Sequence, residues 1–439
     1  KYAWGLDSGQ TYTSVTGLTS GETIAETLND STGQFMTAAT GGSLSVTIPN
    51  SPAYKIVGAG QTGVELIKIK FSATNEDIDL KQIALLISSA ASNSPINLIG
   101  RQVTLWDGTS NIGTAVFPNA DNATSSQILV GSFRIPRDGA RELIVKGDIA
   151  AITTSGPMTQ SGDLLIVDYD GANVGLNGNY GTGVASGSTI SGPAGVNGSA
   201  AASSQGVRIM KAYPTVAYNA LPSVTLAAGT TADQKLYRFA VTANNGDVAL
   251  YKVTFRIGSS TLLATTSLYS LYVYTDTGFS NTDTNFSSTG LVNAGQCFSN
   301  LGSTAAGPRD VRIYPDKTGC NTGTTTYTIS SGVTRYFELR ATVADVESGT
   351  TNTDSISGQL MGDAAYQTVT NVPAANLSMA NAATIDNNDG TAGDVNSDFI
   401  WSPVSTTTNN TRFDQDYTNG YQITGLPSSG ATQVNLQSQ

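Results

Sequence analysis

The chemistry this chain can offer begins with oxygen ligands. Asp386, Asn388, Asp389, Asp394 and Asp398 crowd one stretch that opens Asp386-Asn387-Asn388-Asp389-Gly390. Calcium takes about six to eight hard oxygens from carboxylates, amides and backbone, supplied by a loop that can wrap. The stretch has those oxygens and a glycine for a sharp turn. It departs from the EF-hand loop, because Gly390 comes one place early and the bidentate Glu is missing. Two readings stay open, a calcium site and a plain Asn/Asp/Gly turn. The acidic turns at Glu76-Asp77-Asp79 and Asp163-Asp168-Asp170 are weaker candidates.

The rest of the reactive inventory is short. The chain has no histidine, which removes Ser-His-Asp and Cys-His catalysis, histidine-bearing zinc sites and imidazole proton shuttles. The 33 acidic residues are scattered through turns and read as solvated faces and turn caps. No catalytic residue is assigned and the chain is not expected to be an enzyme. Cys297 and Cys320 sit in a Gly/Asn/Ser/Thr-rich stretch. An even cysteine count in loop-like surroundings points to a disulfide, hence to export; two unpaired thiols are the alternative. Closing such a loop contributes about 3 kcal/mol in the chain-entropy model. The net charge of −11 argues against nucleic acid as a partner, since phosphate binding needs a basic footprint. No stretch reaches the ~18 apolar residues of a membrane-spanning helix. The chain opens at Lys1, so a processed form or a fragment of a longer protein is expected.

The elements that must position these residues are strands. Residues 64–87, VELIKIKFSATNEDIDLKQIALLI, return at 234–257 as QKLYRFAVTANNGDVALYKVTFRI, without a gap, at an offset of 170. Leu66 falls on Leu236, Ala73 on Ala243, Asn75 on Asn245, Asp77 on Asp247 and Leu80 on Leu250. Each copy is two apolar runs of period two broken by a polar turn, the pattern of half-buried strands. Asp77 and Asp247 recur inside that turn as side chains for bonding turn backbone. Further runs match in order: Val103–Trp106 with Tyr269–Tyr274, Ala140–Ile152 with Thr334–Val346 (Arg141 on Arg335), and Gly162–Val167 with Thr353–Leu360. Charged residues are 13% of the chain, against roughly 25% in typical globular proteins. Gly, Ser, Thr and Asn fill the gap and favour sheets and loops over helices.

The expected fold is therefore all-β, tandem Ig-like β-sandwich domains with long polar loops. The expected division is an N-terminal arm or upstream remnant at 1–42, one sandwich at 43–213, a second at 214–427 with the cysteine-bearing insertion, and a tail at 428–439. Thr19-Ser20-Gly21-Glu22 has the Thr-x-x-Glu signature of a helix start that would carry Ile24 and Leu28. Residues 171–206 are rich in Gly, Ala and Ser and read as loops with a strand near Val184 or Thr189; their glycines miss the GxGxxG spacing.

The repeated ATNEDIDLKQIAL (73–85) and TANNGDVALYKVTF (242–255), with SDFIWS (397–402) and YTNGYQITGLP (417–427), resemble large secreted cell-surface proteins of ultra-small candidate-phyla bacteria of the Patescibacteria type. The resemblance covers most of residues 43–427. It implies export, an extracellular location at the cell envelope and self-assembly into a surface layer (S-layer). It transfers no catalytic residue. A pilus-like filament is the alternative, with residues 1–42 donated as a strand to a neighbour. An adhesin binding glycans or a host surface is the third reading.

Overall fold

The computed structural model describes residues 2–4, 15–16, 18–24, 34–36, 41–48, 54–87, 94–118, 122–125, 133–152, 159, 161–195, 206–259, 265–294, 298–301, 308–316, 325–347, 353–366, 397–404 and 417–438. The described chain is all-β, two Ig-like sandwiches in tandem. The N-terminal unit contains β1 (Ser43–Thr47), β2 (Lys55–Gly58), β3 (Val64–Thr74), β4 (Ile78–Gln82), β5 (Ala84–Ile87), β6 (Leu98–Asp107) and β7 (Ser110–Val116). It continues with β8 (Asn122–Ser125), β9 (Arg134–Ile135), β10 (Ala140–Ile149), β11 (Asp163–Leu165), β12 (Val167–Tyr169), β13 (Tyr180–Gly183), β14 (Thr189–Ser191) and β15 (Val207–Met210). The C-terminal unit contains β16 (Tyr213–Tyr218), β17 (Thr225–Leu226), β18 (Gly229–Asn244), β19 (Val248–Ser259), β20 (Thr265–Tyr274) and β21 (Phe298–Leu301). Its remaining strands are β22 (Arg309–Ile313), β23 (Tyr327–Ile329), β24 (Thr334–Val346), β25 (Ser355–Leu360), β26 (Phe399–Ser402) and β27 (Val434–Ser438).

Alternation sets which face of each strand is buried. In β3, Ile69, Phe71 and Ala73 point inward while Lys70 and Thr74 are exposed. Each unit closes over its own core, one gathered around Phe71, Leu85, Val103 and Leu143, the other around Phe239, Phe255, Phe337 and Trp401. Phe239 stacks on Phe337 with ring centroids 4.9 Å apart.

The pairing registers reproduce the sequence repeat. Ala73 lies opposite Leu44 and Ala243 opposite Pro214, both pairs related by the same offset. Leu85 meets Ala123 and Tyr169, and its equivalent Phe255 meets Val311 and Leu360. Ile78 pairs with Ile135, and Val248 with Ile329. The turn between the paired runs is also shared, with Asn75 at φ 70° and Asn245 at φ 63° in the left-handed region that Asn tolerates best after Gly. The expectation for the two aspartates holds with distant partners. Asp77 Oδ1 accepts from Arg137 N at 2.7 Å and Asp247 Oδ1 from Ser331 N at 2.8 Å, so each ties its turn to the one leading into β10 or β24.

In both units the last strand pairs in parallel with a strand from the unit's start: β15 with β2, and β27 with β17. β27 lies inside 428–439, the stretch that pattern reading leaves as a tail. Val434 and Leu436 alternate with Asn435 and Gln437 and are buried, because β25 and β17 flank the strand on both sides. The helix start at Thr19–Glu22 is not realised. Ser20 Oγ accepts from Glu22 N within its own turn, and Thr23–Ile24 pairs as a strand with Val15–Thr16; Leu28 lies outside the described residues. Short side-chain-to-backbone bonds and β-branched residues both compete against helix. Thr189–Ser191 is a strand, as expected, while Val184 is in a turn.

The units dock through polar and aromatic contacts. Arg208 of β15 stacks over Tyr366 at 3.7 Å and donates from Nε to Tyr54 Oη at 3.2 Å, and Tyr54 meets Tyr421 edge-on at 4.8 Å. Asn245 Nδ2 donates to Ala59 O at 3.1 Å and Lys211 O at 2.8 Å. A side chain at Gly58 would run into Asn245, its Cβ falling 2.3 Å from Asn245 Cγ, so glycine permits this close approach.

Candidate functional site

The chemistry concentrates on β19. Its burial is continuous from Val248 to Phe255 rather than alternating, so both faces are covered. Leu250, Val253 and Phe255 fill the sandwich core. The opposite face is roofed by the returning chain at 397–404 and 417–426, where Tyr251 packs against Tyr417 at 5.7 Å, with Tyr314 beside it at 5.9 Å. Lys252 and Thr254, which an alternating strand would present to water, are buried under that roof, each 0% exposed.

β25 and β26 lie end to end along one flank of β19. Leu360 pairs with Phe255, Met361 N donates to Thr254 O at 2.9 Å, and Phe399 resumes the pairing at Val253. The chain between, 361–398, is an excursion that leaves and re-enters a single strand position. The register slips by one residue between Leu250 and Lys252, a bulge of the kind that re-aims side chains.

Two carboxylates mark the root of the excursion. Asp363, where the chain leaves, is 0% exposed; Asp398, where it returns, is 5% exposed. Asp363 Oδ1 accepts from Asp398 N at 2.7 Å, and its Oδ2 from Gly420 N at 2.5 Å and Phe399 N at 3.3 Å. Burial nevertheless outweighs these bonds and pushes Asp363 up to about 7. Burial, then the neighbouring Asp363 charge, pushes Asp398 up to about 8. The Lys252 ammonium draws both back down, and its Nζ lies 3.4 Å from Ser397 Oγ. Arg256, its side chain 38% exposed, and the buried Asp310 edge this polar face, paired at 2.8 and 2.9 Å. The arrangement places one amine against two carboxyl groups in a dry pocket, where charged forms are costly unless they are paired.

Of the five proposed calcium ligands, only Asp398 is among the described residues. It belongs to this closed root rather than to an open loop. Asp386, Asn388, Asp389 and Asp394 lie outside the described residues, as do Cys297 and Cys320. Among the described residues, no group of three or more Asp, Glu, His or Cys side chains is arranged to hold a metal ion. The acidic turn at 76–79 disperses to separate partners. Glu76 accepts from Gly42 N, Ala185 N, Ser186 N and Ser186 Oγ, and Asp79 is clamped by both arms of Arg134. In the 163–170 group, Asp170 holds its own turn through Ala172 N, and burial pushes Asp168 up to about 6. Lys252 and Asp363 carry no sequence motif. The one visible signal is that Lys252 replaces Gln82 of the first copy in an otherwise apolar run.

No family model matches the chain, and no curated protein matches it. Among solved structures, it is similar to the C-terminal domain of the Streptococcus agalactiae AgI/II polypeptide BspA, with 8% identity, 73% of this chain and 95% of that chain covered, and a TM-score of 0.21. The collagen adhesin from S. aureus matches with 13% identity, 72% and 85% coverage and a TM-score of 0.16. The full-length major pilin RrgB from Streptococcus pneumoniae matches with 7% identity, 64% and 42% coverage and a TM-score of 0.18.

Proposed function

We propose that this protein is a structural, non-catalytic component of an extracellular cell surface, assembling with copies of itself into a layer against the cell envelope. The observation that carries the reading is the pairing of unit ends. β15 lies parallel to β2, and β27 parallel to β17. Tension that reaches β2 and β15, or β17 and β27, from the two ends of a unit drives these neighbours past one another along their length. Their ladder bonds must break together rather than one after another. Such a geometry suits a chain that carries load in a coat. The sequence resemblance to secreted surface proteins supports the same reading. Export would let Cys297 and Cys320 pair, and calcium held by Asp386, Asn388, Asp389 and Asp394 would bridge neighbouring copies, Asp398 being committed to the closed root.

One observation favours a filament instead. Among the described residues, Tyr2–Trp4 pairs only with Gln34–Met36 and Val15–Thr16 only with Thr23–Ile24, and neither ribbon joins a sheet of the two units. A strand-forming arm outside the sandwich sheets is what strand donation to a neighbour requires.

Negative-stain electron microscopy of the purified chain, with millimolar calcium and with chelator, tests both. Two-dimensional sheets lost on chelation are expected. Sheets indifferent to chelator would remove the calcium bridge, one-dimensional fibres would move the assignment to the filament, and dispersed monomers in both conditions would defeat self-assembly.

A further inference from the structure

We infer that the Lys252 side chain condenses with Asp363 to form an intramolecular amide bond, with Asp398 relaying protons. The inference rests on the buried root described above and is independent of any role at a cell surface.

A lysine with no exposed surface is costly to keep charged, and one carboxylate beside it would settle the matter as an ion pair. Here two carboxyl groups face one amine, so at most one acid is neutralised by pairing and the other is held as the acid. Transfer of one further proton from the ammonium to a carboxylate leaves a neutral amine beside neutral carboxylic acids. That is the reactive pair, since an ammonium has no lone pair and a carboxylate carbon resists attack.

The backbone prepares Asp363 as the electrophile. Oδ2 receives two N–H groups, from Gly420 at 2.5 Å and Phe399 at 3.3 Å. Donors so placed stabilise the negative charge that develops on this oxygen when the carbon becomes tetrahedral. In the reaction, the Lys252 Nζ lone pair attacks Asp363 Cγ and forms the C–N bond. The bond from Cγ to Oδ1 breaks. The departing hydroxyl takes a proton from the Asp398 acid and leaves as water, and Asp398 recovers a proton from Nζ. One amine and one acid become one amide and one water, with no change of oxidation state and no co-reactant. Acid and amine in free solution have no such encounter. Fixing Lys252 on β19 and Asp363 just past the end of β25 supplies an effective concentration of roughly 10⁵–10⁸ M for well-aligned groups.

The first unit provides an internal comparison. Gln82 occupies the place of Lys252, pairing with Tyr180 as Lys252 pairs with Ile400. The excursion there is short, 170–179, and hydrogen bonds close its root: Ala84 N donates to Asn179 Oδ1 at 2.7 Å and Asn179 Nδ2 to Asp170 O at 2.6 Å. In the second unit the corresponding ends, Asp363 and Asp398, are further apart in sequence, and holding such ends together costs more chain entropy. A covalent tie stands where the longer loop needs it.

Intact-mass spectrometry of the folded, reduced full chain tests the inference. The expected mass is one water below that of the sequence, and digestion yields one branched peptide joining the segments that contain Lys252 and Asp363. The Lys252→Arg variant shows the full mass. Asp363→Asn gives the same branched peptide with loss of ammonia instead of water, and Asp398→Asn slows or abolishes it. A wild-type chain at full mass with no branched peptide overturns the inference without recourse to any variant. A mass deficit whose branched peptide joins other residues overturns the assignment.

Discussion

Gly58 and Asn245 give the most direct test of how the two units sit together. Replacing Gly58 by Ala places a Cβ 2.3 Å from Asn245 Cγ and 2.4 Å from its Nδ2, separations no pair of non-bonded heavy atoms sustains. The β2 backbone is held by β15, so the Asn245 side chain must swing away. In doing so it gives up its bonds to Ala59 O and Lys211 O. At about 0.5–1.5 kcal/mol per net hydrogen bond, Gly58→Ala costs about 1–3 kcal/mol. Asn245→Gly deletes the same two bonds while keeping the left-handed backbone comfortable, so it costs a similar amount. The two losses are one loss. In the Asn245→Gly background, Gly58→Ala adds almost nothing, and the double-mutant cycle returns a coupling of about 1–3 kcal/mol. Urea unfolding with matched slopes measures each corner of the cycle. Additive effects, with coupling below about 0.5 kcal/mol, would refute the contact and with it the docked arrangement.

Two other expectations follow from single carboxylates. Glu76 is held down to about 2 by hydrogen bonds from Gly42 N, then Ser186, then Ala185 N, against an ordinary value of 4.5. Its folded value is depressed, so its contribution is present above pH 4.5 and drains away as pH falls toward 2; thermal melts should show wild type losing more than Glu76→Gln over that window, and parallel losses would discount the clamp. Asp283 and Asp107 serve the repeat-equivalent arginines Arg335 and Arg141 in very different solvent, with carboxylate side chains 3% and 24% exposed. Asp283→Ala strands a half-buried guanidinium and the buried Tyr327 hydroxyl and should cost about 3 kcal/mol, whereas Asp107→Ala should cost about 0–1 kcal/mol; equal losses in denaturant melts would contradict the burial argument.

Much of the fold was legible because it is written twice. Period-two alternation located β3, β4 and β5 and their copies in β18 and β19, and the shared offset carried over to the registers. Asp77 and Asp247 were recognisable as turn acceptors, but not their partners, which come from turns some sixty and eighty residues away. β27 was missed although Val434-Asn435-Leu436-Gln437 alternates, because a short strand at a chain end gains its burial from two neighbours that the local pattern does not reveal. Lys252 was invisible for the opposite reason. In ALYKVTF it sits where an alternating strand turns outward, and the returning segments 397–404 and 417–426 convert that outward face into an interior.

The same contrast explains why the two copies diverged where they did. A repeat must keep its strand order, because the core residues on one strand are answered by those on its neighbours, four of them in the case of β19. The root of the excursion is under no such constraint: it needs only that the chain leave β19 and return to the next position along it. The first unit meets that need with a short loop and an Asn–Asp bond set, under a strand that carries Gln82. The second unit bears a long excursion and has surrounded its root with Lys252, Asp363 and Asp398, all withdrawn from water. Side chains that would be stable as a solvated surface pair are costly there unless bonded to one another. Retention of an amine and two acids in that dry space, opposite a Gln in the sister unit, is therefore the point at which the fold's duplication gives way to a chemistry of its own.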